Sequence, residues 1–70
     1  MTVLEFARSY FVLGSKITKL IVRRNNNGIC QKLYSGDIDS EIYMRPEVKT
    51  AVVRKWLIPK GESAIVVIVE

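Results

Sequence analysis

The chain has 70 residues, of which 49% are hydrophobic, and eleven basic against seven acidic side chains give a net charge of +4. That is one domain's length, too apolar for a disordered chain and too short to bury more than about 60% of its unfolded surface. A single cysteine, Cys30, excludes an intramolecular disulfide, and the absence of histidine removes the commonest acid–base group and a structural zinc site.

The longest apolar run, Ala64 to Val69, is six residues, against about 20 for a membrane helix. The start, M-T-V-L-E-F-A-R, has an early acid and no basic region before an apolar core, so no signal peptide is expected. The expected setting is the cytoplasm, with a reduced thiol. With neither disulfide nor metal to staple so small a scaffold, self-association is the remaining device, and a homodimer is the expectation.

In chain order, Thr2 followed three residues on by Glu5 reads as a capping box. Val3, Phe6, Ala7 and Tyr10 then recur at helical spacing, and Leu4 and Phe11 widen the stripe. The spacing predicts a helix from Val3 to Val12, closed by Gly14. Lys16–Arg24 and Ile29–Ser35 read as two strands around N-N-N-G. Asn27-Gly28 predicts a type I′ turn, because both central residues need positive φ. Both faces of the first strand are partly apolar, as in a sheet with a helix on one side.

Ser40 can cap a short helical turn ending near Met44, and Arg45-Pro46 ends it. Glu47 to Ile58 admits two readings. As a helix, Pro46 stands at N1 and Val48, Ala51, Val52 and Trp56 form a stripe. As a strand, Val48, Thr50, Val52, Trp56 and Ile58 share a face; the density of Val, Thr, Trp and Ile favours this. Pro59–Ser63 is then a hairpin loop, and Ala64–Val69 is a strand apolar on both faces. The expected fold is α+β: one N-terminal helix on a four-stranded, mostly antiparallel sheet, in a single domain spanning 1–70.

No catalytic constellation emerges, and no cofactor or metal is expected. Cys30 lacks an activating histidine and reads as a buried or half-buried structural thiol. Asp37, Asp39 and Glu41 are alternate carboxylates, but the calcium-loop pattern fails, since Ile42 stands where glycine is needed. A solvated acidic turn is the simpler reading. Trp56 reads as core, its ring packed on the helix, with a partner-binding anchor as the alternative.

Charge is distributed unevenly. From Phe6 to Gly36 there are six bases (Arg8, Lys16, Lys19, Arg23, Arg24, Lys32) and no acid; Asp37 to Glu47 holds four acids and one base. Such polarity can steer a charged partner. The candidate partner-binding residues are therefore Lys19, Arg23, Arg24 and Lys32 on the hairpin, with Arg54 and Trp56. The partner is expected to be a protein or ribonucleoprotein. A DNA- or RNA-binding regulator using the basic hairpin, with Tyr34, Tyr43 and Trp56 as stacking residues, is the rival.

The succession of capped helix, basic hairpin, L-Y-S-G-D, acidic turn, E-V-K-T-A-V-V-R-K-W-L-I and apolar terminal strand resembles small proteins encoded by phages and prophages of Gram-positive bacteria. Separately, I-T-K-L-I-V-R-R-N-N-N-G, Ile17 to Gly28, resembles the central hairpin of a phage anti-CRISPR protein that inhibits a type II CRISPR nuclease. The resemblance implies a non-catalytic inhibitor of a host defence nuclease, acting in a bacterial cytoplasm. That inhibitor is an acidic DNA mimic, whereas this chain is basic, so none of its functional residues carries over.

Overall fold

A computed structural model describes residues 1–10, 17–38, 44–61 and 63–70. The elements are α1 (Val3–Tyr10), β1 (Lys19–Asn26), β2 (Ile29–Asp37), α2 (Pro46–Lys49), β3 (Val53–Leu57) and β4 (Ala64–Val69). The four strands form one sheet in the order β2-β1-β4-β3. Two of its three pairings are antiparallel, and the central one, β1 with β4, is parallel. The α+β architecture is as expected.

The capping box forms as the sequence requires. The Thr2 amide and hydroxyl donate to Glu5 Oε1 at 2.9 and 3.0 Å, and the Glu5 amide donates back to Thr2 Oγ1 at 3.3 Å. These bonds satisfy donors that a helix start leaves without intrahelical partners. The expected helix end at Val12 and Gly14 falls outside the described residues. The hairpin closes at Asn26 opposite Ile29, with Asn27 at φ 52° and Gly28 at φ 81°. Two consecutive positive φ values are what a type I′ turn demands. β1 starts three residues later than the sequence suggests and runs two further; β2 runs two further, to Asp37.

Glu47 to Ile58 proves to be both readings in succession. Pro46 opens a single helical turn, where its missing N–H costs nothing. Thr50 ends the turn, its amide and hydroxyl both donating to the Pro46 carbonyl, at 3.1 and 2.9 Å. The chain then extends as β3. The strand reading of Glu47 to Ile58 is corrected for 47–52 and holds for Val53–Leu57. The short helical turn expected at Ser40 falls on residues that are not described; Met44, at its end, is buried in the core.

One side of the sheet carries that core. Val3, Phe6 and Ala7 of α1 and Val48 of α2 pack with Leu20, Val22, Ile65, Val67 and Val69, along with Ile38 and Met44. Each of these side chains larger than alanine contributes about 1.5–3 kcal/mol through burial. A bulge opposite Val22/Arg23 makes Leu33 an extra residue on β2, and Leu33 and Tyr34 both reach this core. Tyr34 lies over Gly36: a Cβ there would stand 2.8 Å from the Tyr34 hydroxyl, which donates to the Asp37 carbonyl at 2.9 Å.

Candidate functional site

The second face of the sheet is built by register. Partners across strands share a face, so the pairings define rows. The first row runs Lys32, Arg23, Ile68, Lys55 across all four strands. The second runs Ser35, Ile21, Val66, Leu57, and the third Asp37, Lys19, Ala64. Both helices belong to the opposite cluster, and no helix among the described residues covers these rows. Three cations therefore lie in one line about Ile68. An apolar row sits beside them, with Lys19 beyond it.

Arg23 and Lys32 are directly opposed in the β1–β2 ladder. Directly facing like charges destabilise a sheet pair. The first row spans three inter-strand spacings, about 14 Å. Lys19 and Arg23 are separated by four strand residues, about 13 Å. The result is a face cationic along its first row, with Lys19 opposed by Asp37 on the third, around a nearly buried aliphatic centre of Ala64, Val66 and Ile68.

The candidate residues divide between sites. Lys19, Arg23 and Lys32 come together on the open face. Arg24 does not join them: its Nε donates to the Glu70 carbonyl at 2.9 Å, anchoring the hairpin to the chain beyond β4. Arg54 is the extra residue of a bulge in β3, and Trp56 pairs with Val67, on the helix side. Lys55 was not among the residues singled out from sequence. Finding it required knowing that β3 begins at Val53 and bulges before Lys55.

The core reading of Trp56 is corrected: its ring packs on the helix, with its centroid 5.8 Å from that of Phe6, but it is 47% exposed and outside the core because β3 is an edge strand. Arg54, Lys55 and Trp56 also line a second feature, an open cleft of about 490 Å³ completed by Met1, Phe6, Ser9 and Val53.

Cys30 corrects the sequence reading outright: it is exposed. It lies opposite Asn25, whereas β4 pairs with β1 only as far as Arg24. The hairpin outruns the sheet, so no neighbouring strand covers the thiol. The aromatic residues expected to stack on bases are also misplaced. Tyr34 and Trp56 occupy the helix side, opposite the cationic rows, and Tyr43 falls outside the described residues.

Among the described residues, no group of three or more His, Cys, Asp or Glu could hold a metal ion. Asp39 and Glu41 are not among those residues. No described helix is long and apolar enough to cross a membrane. No protein-family model, curated protein or solved structure matches the chain.

Proposed function

We propose that the chain is a non-catalytic binding domain that presents its open sheet face to an acidic surface of a partner protein. The carrying observation is the row Lys32–Arg23–Ile68–Lys55, which keeps a like-charge pair opposed at the expense of stability. An acidic partner relieves that repulsion. The aliphatic row Ile21–Val66–Leu57 favours a protein over a nucleic acid, because an interface core is apolar and its rim charged. Tyr34 and Trp56 lie on the other side of the sheet, so neither offers a stacking platform beside the cationic rows of this face. Inhibition of a CRISPR nuclease in a phage-infected cell is the specific form that the hairpin resemblance suggests. It rests on that resemblance alone.

The test compares retention of the protein on immobilised polyglutamate and on random-sequence duplex DNA across a salt series. Retention on polyglutamate, abolished by Lys32→Glu, is the expected result. Tighter binding to duplex would overturn the proposal in favour of the nucleic-acid reading; each phosphate contact there adds about −0.9 to the log–log salt slope. Self-association through this face, seen as a concentration-dependent mass lost in Lys32→Glu, would replace the acidic partner by a second copy. A type II nuclease cleavage assay with rising protein concentration tests the specific form.

A further inference from the structure

We infer that the cleft between α1 and β3 is a separate binding site for an amphipathic anion, a planar apolar body carrying a carboxylate or phosphate. Its lining divides by chemistry. Phe6 and Trp56 form a tilted aromatic pair, at 51° between ring planes, and Met1 and Val53 extend the apolar wall. Arg54 and the Ser9 hydroxyl supply the polar part, with Lys55 at the rim where β3 divides the two faces, and no acid among the described residues lines the cleft. The Ser9 hydroxyl donates to the Glu5 carbonyl at 2.9 Å, which leaves its oxygen able to accept. The nearest carboxylate on the same helix, Glu5, is held by Thr2 in the capping box.

The volume of about 490 Å³ falls within the roughly 300–1,000 Å³ of small-ligand clefts. The backbone explains why the cleft exists. A bulge makes Arg54 an extra residue in β3, locally re-aiming the strand next to the aromatic pair. The Val53 amide donates to the Met1 carbonyl at 2.8 Å, and the Val3 amide to the Ala51 carbonyl at 3.0 Å, fixing one end of the cleft. The half-exposed Trp56 ring, backed by the buried Phe6, and the neighbouring Arg54 bind an aryl anion through both its parts: the ring by stacking, the head by charge-assisted hydrogen bonds. The same chemistry is offered by a free aryl carboxylate or by an aromatic residue flanked by acids in a peptide.

The chain has one tryptophan, so the indole N–H resonance of Trp56 is a built-in reporter. The experiment titrates the protein with naphthoate, with neutral naphthamide, and with a blocked Glu-Phe-Glu tripeptide, following that resonance. The expected result is a saturable shift with naphthoate, weaker with naphthamide. Arg54→Gln should raise the midpoint roughly fivefold, as for loss of one solvent-exposed ion pair. Lys32→Gln, on the opposite face, should leave it unchanged. A tighter midpoint for the tripeptide than for naphthoate assigns the site to a polypeptide segment, and the reverse assigns it to a free metabolite. Equal midpoints for naphthoate and naphthamide, or equal losses from Arg54→Gln and Lys32→Gln, would overturn the inference by showing general attraction to a basic protein. Lys55 borders both sites, so the test is confined to Arg54 and Lys32, each of which belongs to one site alone; the two readings then fail separately.

Discussion

The two faces of β4 are built from nearly the same residues and do different work. Ile65, Val67 and Val69 point toward the helices and are at most 2% exposed. Ala64, Val66 and Ile68 point the other way and are 5–9% exposed, without any described helix over them. Their cross-strand neighbours Ile21, Arg23, Lys55 and Leu57 flank them instead. Long basic side chains shield apolar surface with their methylene stems while keeping their charge in water. The lesson is that burial alone does not mark a core. One face is dry because helices pack on it, and the other is nearly as inaccessible with no described helix over it. The apolarity of β4 on both sides also follows from its place between β1 and β3, so it does not by itself call for a second subunit.

Adjacent residues of one type break this comparison cleanly. Val67→Ala removes methyls from under α1 and should cost about 2–3 kcal/mol, the transfer loss plus an unfilled cavity. Val66→Ala removes the same atoms where flanking side chains can settle inward, and about 1 kcal/mol is expected. Urea denaturation of both variants measures the difference. Equal losses would mean the open face is as rigidly packed as the core. For a chain this size, total stability is on the order of 5 kcal/mol, so Val67→Ala should lose about half the margin.

Lys32→Glu sharpens the comparison from the other side. It converts the opposed Arg23–Lys32 pair into an ion pair, and stability should rise by about 0.2–1 kcal/mol. Binding to polyglutamate should disappear in the same variant. A stability gain coupled to a binding loss identifies residues retained for recognition. A variant that loses stability would show that the Lys32 stem covers apolar surface that matters more than its charge.

The sequence reveals these two faces unequally. Local signals were sufficient where one residue type dictates backbone geometry: Asn27-Gly28 at the turn, Thr2 and Glu5 at the helix start. β4 was legible because six consecutive apolar residues admit little else. The parallel pairing of β1 with β4 was not, since it joins residues more than forty positions apart (Lys19 with Ala64) through no local motif. Glu47 to Ile58 misled because Pro46 starts a helix while the following Val-rich run prefers a strand, and the chain satisfies both in turn. The exposure of Cys30 and the place of Lys55 both depend on register: where β4 ends beside the hairpin, and where β3 bulges. Three of the six candidate contact residues meet on the open face, because the alternation of β1 was readable while that of β3 was not.

The smallest predicted effect lies at the start of α1, on the covered side. The Glu5 carboxyl is held below its ordinary range, first by the hydrogen bond from the Thr2 backbone amide and then by that from the Thr2 hydroxyl. Both bonds favour the ionised form, and ionisation also suits the positive end of the helix. A carboxyl whose folded value is lowered contributes stability that is fully present above its unfolded value. That contribution is lost as pH falls through the lowered, folded value. The folded state should therefore hold fewer protons than the unfolded state in the acid range, and the wild-type protein should weaken there as pH falls. Glu5→Gln keeps a side-chain acceptor for Thr2 but cannot titrate, so its stability should fall less steeply with acid while starting lower at neutral pH. Thermal unfolding of both proteins from neutral pH down through the carboxylate range measures the two slopes. Parallel slopes would mean that the cap, although formed, does not couple to the packing of Val3, Phe6 and Ala7 on the sheet.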